Sequence, residues 1–475
     1  MERTLLLLCT MAFAGTIAAQ DLPAAPERPW FSKSEAAVSL QAAHNQGGEL
    51  SLDRDRRYSL PELIDLAEAH SPETREAWQA ARQQAATLGV AKSALYPELD
   101  VGFTALTNRN GVLLYNTFVI QQLGIGEAQV KLNYTLFDAN GRLNRVRVER
   151  NLLRAASFSF NEAHRQLLFA VMRAFYLLLD AKGQRVAAEA NLTSARSVLD
   201  ATQARFDNGL ATLPDLSEAR STAAQANYEL QLRLGNERKA MGNLATLVTA
   251  SPDEPFDVQS IDELTIPTTL SSNGHQLIES ALQERPDLLR QFSSIEAAKA
   301  GVREARSRYY PSVTFSGNMG ELRAWGLQSA EPGAYATGHV YDAEVSLNWN
   351  VFDGNRRRSQ TAQAQAAEKR EEESLRGLKD RIEAEVWQAF VDADTAFRQR
   401  DAATALLRAA QDSYDQSLES YQYGVRNIVD VLTAQRQLAA ARFEDVASRV
   451  AVLDSLAQVS YRTGTLLHTQ GGPRP

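Results

Sequence analysis

Two periodicities alternate along the chain, and the alternation happens twice. From Ser59 to about Leu95 apolar residues return at helical spacing, with Ser59 placed as an N-cap, Pro61 in the first turn and Glu62 against the helix dipole. Tyr96-Pro97 stops that helix, and the period drops to two. Leu99, Val101 and Phe103 alternate with polar or small residues, as do Val130, Leu132, Tyr134 and Leu136, so two strands with one apolar face each are expected. A loop is expected between them at Asn108, Asn110 and Gly111. Asp138 or Asn140 then caps a helix that runs from Arg142 to about Phe206 with Leu168, Val171, Phe175 and Leu178 on one face. At 1.5 Å per residue such a helix is about 100 Å long, which no compact domain holds, so it needs a coiled-coil-like partner.

Glycine reverses it. Arg205-Phe-Asp-Asn-Gly-Leu-Ala-Thr-Leu-Pro-Asp215-Leu216 carries the turn at Gly209, where a residue free to adopt positive φ is needed. The return helix spans Pro214 to about Val248. Past a proline-bearing link the plan repeats, with a helix from Gln276 to Tyr310-Pro311 and strands at Val313–Phe315 and Val345–Val351. Phe352-Asp353-Gly354-Asn355 answers Phe137-Asp138-Ala139-Asn140, and a second reversal lies in Tyr421-Gln-Tyr-Gly-Val-Arg-Asn-Ile-Val-Asp430-Val-Leu432. Gly209 and Gly424, like Asp215 and Asp430, stand 215 positions apart. The resulting divisions are a signal peptide 1–19, a lead segment 20–58, repeat 1 at 59–250, a link at 251–274, repeat 2 at 275–465 and a tail at 466–475.

Charge and composition narrow the class. A net charge of −8 over 475 residues, with no basic stripe, argues against nucleic acid as a partner. Arg3, the apolar run Leu5–Ala14 and Ile17-Ala-Ala-Gln20 read as an export signal. Cys9, the one cysteine, lies inside that run, which excludes a disulfide, and acylation there is not favoured. No later apolar run reaches the ~18 residues of a membrane-spanning helix. Six scattered histidines and the absence of phosphate-loop or nucleophile motifs point to no metal, no cofactor and no enzyme.

Four strands with apolar faces fit an outer-membrane barrel, apolar side to lipid and polar side to water. Four cannot close, and an open edge in lipid strands backbone polar groups, so the barrel has to be shared between chains. The fold class expected is therefore mainly α with a β-barrel part and two internal repeats.

By its twin tips, its Tyr-Pro pairs and Phe352-Asp-Gly-Asn-Arg356, the chain between about 59 and 465 resembles the TolC-like outer-membrane channels, the outer membrane efflux proteins. The resemblance implies a homotrimer with a twelve-stranded barrel and a long helical tunnel in the periplasm. It implies docking to a periplasmic adaptor (membrane fusion protein) and an inner-membrane pump of RND or ABC type. The function implied is passive export of drugs or other small molecules, with type I protein secretion as the alternative; a soluble periplasmic coiled-coil adaptor is a more distant one. It also assigns roles: Asp215, Tyr421 and Arg426 to a periplasmic gate, Asp430 and Thr433 to the entrance constriction, and Gly209, Leu210, Gly424 and Val425 to adaptor docking. Family channels can carry a second aspartate where this chain has Thr433, so a ring of Asp430 favours cations more weakly. Without the resemblance, Asp215, Arg426 and Asp430 read as ordinary solvated charges at helix starts, where acidic residues are favoured anyway.

Overall fold

The computed structural model describes residues 52–54, 56–114, 116–270, 273–326 and 335–467. The signal peptide, Cys9, the lead up to residue 51 and the tail from 468 lie outside the described residues.

The two repeats match element by element. In the first, β1 (Arg57–Tyr58) is followed by α1 (Leu60–His70), α2 (Pro72–Ser93), β2 (Glu98–Leu114), β3 (Thr117–Phe137), α3 (Gly141–Asp207) and α4 (Leu213–Leu247). In the second, β4 (Asp257–Val258) precedes α5 (Gly274–Glu284), α6 (Pro286–Ser307), β5 (Ser312–Gly326), β6 (Tyr335–Asn348), α7 (Arg356–Gln422) and α8 (Ile428–Thr463). Both long helices have 67 residues, about 100 Å at 1.5 Å per residue. Each gains its stability from packing beside its return helix rather than from propensity.

Each expected entry helix is two helices. Ser71 precedes Pro72, which has no N–H to donate and bars the residue before it from helical ψ. Ser71 sits at ψ 125°, and its Oγ accepts from Thr74 N–H to cap the second piece. Arg285 before Pro286 makes the same break at ψ 126°. At the first helix start, Glu62 accepts from the N–H and Oγ of Ser59, each at 2.9 Å, and these bonds hold its carboxyl below the usual range.

β2, β3, β5 and β6 form one antiparallel sheet in that order. The loop expected at Asn108–Gly111 is strand: Asn108 pairs with Leu123 and Gly111 with Ile120. Seventeen residues in β2 reach about 55 Å at ~3.3 Å each. That outruns the ~9–11 residues that cross the hydrocarbon, so polar residues in the far half need not meet lipid. In the half nearer the helices, Leu99, Val101 and Phe103 share one face with Val130, Met319, Tyr341, Val345 and Leu347, and all of these are exposed in the protomer. Val101→Arg is expected to cost up to about 2–4 kcal/mol. Unheated gels should then show less oligomer; an unchanged yield would mean that this face does not meet lipid.

Strand and helix are joined by one device used twice. Asp138 accepts from Arg142 N–H at 2.7 Å and from its Nε at 3.2 Å, while the same guanidinium donates to Ala94 O and Thr135 O. Asp353 holds Arg357 likewise, at 3.1 and 2.9 Å, and Arg357 donates to Val351 O. Asn140 and Asn355 take the left-handed turn before it, both at φ 67°. Phe137, Trp349 and Phe352 stand exposed at this level, where amphipathic rings favour the membrane interface.

β1 pairs in parallel with β4, so the end of the lead and the link form a small sheet of their own. Neither carries an alternation long enough to announce it.

Candidate functional site at the hairpin tips

Both tips are built from the same backbone turn. Gly209 at φ +74° donates to Phe206 O (2.9 Å), and Leu210 N–H returns to Arg205 O (2.8 Å). Gly424 at φ +77° donates to Tyr421 O (2.9 Å), and Val425 N–H returns to Ser420 O (2.9 Å). These pairs satisfy the last carbonyls of α3 and α7, which would otherwise lack partners. The next helix is capped within a few residues. Thr212 N–H and Oγ1 donate to Asp215 at 2.9 and 2.7 Å, and Asn427 Oδ1 accepts from Asp430 N–H at 2.9 Å. So tight a turn leaves Leu210 66% and Val425 79% exposed at the two apices, joined by Leu213 and Tyr423.

The residues assigned to the gate occupy distinct settings in the protomer. Asp215 is the partner of Thr212, whose two donors hold its carboxyl below the usual range. Arg426 is exposed and folds back to Ser417 Oγ at 3.1 Å. Tyr421 is only 4% exposed, in a cluster with Val198, Ile428 and Leu432, its hydroxyl 3.5 Å from Thr202 Oγ1. Among the described residues no ion pair joins Asp215 to Arg426 inside one protomer. Asp430 and Thr433 are exposed one turn apart, and Arg436 Nη2 reaches Thr433 Oγ1 at 3.4 Å.

The sequence did not reveal Arg205. Its guanidinium crosses from the first hairpin to the second, donating Nη1 to Tyr421 O (3.0 Å) and Gln422 O (3.4 Å), with its Cζ 4.8 Å from the centroid of the Tyr421 ring. A cation against the last carbonyls of α7 is favoured by the helix dipole and by the ring face. Arg205 opens the first tip motif, but its counterpart position in the repeat is Ser420, so internal symmetry does not flag it.

An open four-stranded sheet with two long unpaired edges, continued by helical hairpins of about 100 Å, defines a class: channels whose barrel and tunnel are completed by further copies of the chain. A family model described as outer membrane efflux protein matches residues 63–249 and 277–465, and the chain belongs to that family. Protein CyaE of Bordetella pertussis is 26% identical over 399 residues, 82% of this chain and 80% of that one. The pyoverdine export outer membrane protein OpmQ of Pseudomonas aeruginosa is 26% identical over 381 residues, 78% and 74% of the two chains. The crystal structure of the outer membrane protein VceC of Vibrio cholerae superposes with a TM-score of 0.74 at 20% identity, covering 85% of this chain and 96% of that one. The chain is accordingly an outer-membrane channel subunit and not an enzyme. It gives four strands to a trimeric barrel, with the helical tunnel in the periplasm, and the family works with periplasmic adaptors and inner-membrane pumps.

Proposed function

We propose that this channel is the exit duct of a tripartite pump that exports small molecules, with its twin tips as the gated entrance and the adaptor seat. The observation that carries this reading is the pair of rigid glycine turns that hold Leu210 and Val425 exposed at the apices. An apolar side chain presented on a fixed turn suits docking of a partner hairpin, because little ordering is needed on binding. Export of a small molecule is favoured by the likeness to the pyoverdine exporter OpmQ. Energy comes from the inner-membrane partner, of RND or ABC type, which also selects the cargo.

In this reading Asp215 and Arg426 meet across subunit boundaries, and Tyr421 is the packed strut beneath them. Exposed ion pairs contribute only ~0–1 kcal/mol each, so contacts offered by an adaptor suffice to open them. Asp430 and Thr433 line the constriction above. Leu210→Glu with Val425→Glu is expected to abolish export in cells while leaving the trimer intact on unheated gels; export at the unaltered level would sink the docking assignment. Arg426→Ala and Asp215→Ala are each expected to raise single-channel conductance in planar bilayers. Unchanged conductance in both would remove them from the gate.

A further inference from the structure

Just below the barrel, the arginines of the long and short helices sort by the direction they face. A cavity of about 500 Å³ is lined by Arg142, Arg145 and Arg308 together with Ser312, Asn348 and Asn350. Asn348 and Asn350 alternate with the outward-facing Leu347 and Trp349, so the cavity opens on the polar, water-lining side of the sheet. The arginines of that side each have a carboxylate: Asp138 for Arg142, Glu149 for Arg145, Glu304 for Arg308.

The opposite side is different. At about 100° per residue, Arg147 and Arg150 lie about 200° and 140° round α3 from Arg145. Arg303 and Arg306 lie about 140° and 160° round α6 from Arg308, and Arg358 lies about 200° round α7 from Gln360, which accepts Arg308's hydrogen bond. All five are exposed. Among the described residues none of the five has a carboxylate partner; Arg147 reaches only Asn144 Oδ1, at 2.9 Å. They sit within about three turns of the strand–helix junctions, beneath the exposed apolar face of the sheet and the rings of Trp349 and Phe352. In a chain of net charge −8, this is a concentration of uncompensated positive charge where the lipid-facing surface ends.

We infer that these outward arginines form a belt that binds the anionic headgroups of phospholipids in the periplasmic leaflet. Apolar side chains above would take the acyl chains, aromatic rings the boundary, and guanidinium forks the phosphates, for which their paired donors are suited. Arginine stems reach several ångström along a helix surface and lean toward its N-terminus, so on α3 the residues from about one and a half to two and a half turns below the boundary are directed back at the headgroup layer. Repeated in three subunits, the belt encircles the channel and fixes its height and tilt in the membrane.

The test uses the purified full-length trimer in detergent, with lipid retention counted by native mass spectrometry. Phosphatidylglycerol and phosphatidylcholine of the same chain length are supplied in equal amounts. The unaltered trimer is expected to retain several-fold more of the anionic lipid. The Arg147→Gln, Arg150→Gln, Arg306→Gln, Arg358→Gln variant is expected to lose that preference and retain the two lipids in a ratio close to one. The matching four Arg→Lys changes should keep most of it. Equal retention of the two lipids by the unaltered trimer overturns the inference and needs no variant. Undiminished preference in a folded, trimeric Gln variant overturns it as well.

Discussion

Arg285→Ala is expected to destabilise the protomer by about 3–5 kcal/mol, because it removes one partner from a buried ionic cluster and leaves the others charged. Arg285 is 4% exposed, at the break between α5 and α6. It holds Asp287 by two bonds of 3.0 and 2.7 Å, Glu385 of α7 at 3.0 Å and the carbonyl of Arg462 in the last turn of α8 at 3.3 Å. Glu385 is also paired with Arg462 at 3.0 Å, so one guanidinium links three helices. From the other side Arg165, itself buried, donates to Tyr461 O and packs 4.3 Å from the Tyr461 ring. Two cations thus meet the carbonyl end of α8, where the helix dipole favours them. Gly464 closes that end at φ +84° with Arg285 packed against it.

The measurement is chemical denaturation of the detergent-solubilised trimer, followed by circular dichroism, with Arg285→Lys and Arg285→Met beside Arg285→Ala. Lysine keeps one charge but not the fork, and is expected to fall between the unaltered protein and alanine. A shift in alanine no larger than that of an exposed arginine would refute the cluster's role. The cluster also predicts a pH dependence. Burial raises the Asp287 carboxyl, but the Arg285 guanidinium more than offsets this and holds it below the usual range. A depressed carboxyl contributes stability that is fully present above its unfolded pKa and lost as pH falls through its folded one. Acidification below about pH 4 should therefore remove stability from the unaltered protein. In Arg285→Ala much of that acid-side loss should be gone.

What the chain spells out locally, it spells out well. The strand alternation from Leu99 and from Val130, the caps at Asp138 and Asp353, and both glycine reversals are set by neighbours in sequence, and the structure has them. Two features read less well because two rules compete. Ser71-Pro72 and Arg285-Pro286 interrupt helices whose apolar spacing carries straight on, and the proline wins because it removes an N–H and crowds the residue before it. Asn108–Gly111 looks like a turn by composition, yet the ladder to β3 runs through it, since cross-strand pairing outweighs weak local preference. The third kind of feature is not local at all. Arg205 and Tyr421 lie 216 positions apart, and nothing near either shows that a guanidinium of one hairpin ends on the carbonyls of the other.

That contact gives the second large effect. Arg205→Ala is expected to loosen the tip by removing two hydrogen bonds to α7 carbonyls and the guanidinium from the Tyr421 ring. Bonds to charged donors are worth about 1.5–3 kcal/mol each and the ring contact about 0.5–1 more, so the two hairpins lose several kcal/mol of mutual attachment at their apices. Freed carbonyls at the end of α7 can turn to water, which favours fraying of the last turn before Gly424. Conductance in planar bilayers should rise, and amide exchange should quicken at residues 418–424 while the α7 segment near Ile382 stays protected. Tyr421→Phe separates the ring from the hydroxyl: at 3.5 Å from Thr202 Oγ1 the hydroxyl makes at most a weak bond, so Phe should leave conductance near the unaltered value. Tyr421→Ala empties a site that is 4% exposed and should act as strongly as Arg205→Ala, at about 3–5 kcal/mol. If Phe opened the channel as fully as Ala, the hydroxyl would have to bond a neighbouring subunit, and the packed-strut role for Tyr421 would fall. If Arg205→Ala left both exchange and conductance unchanged, the two hairpins would be held at their tips by contacts between subunits alone.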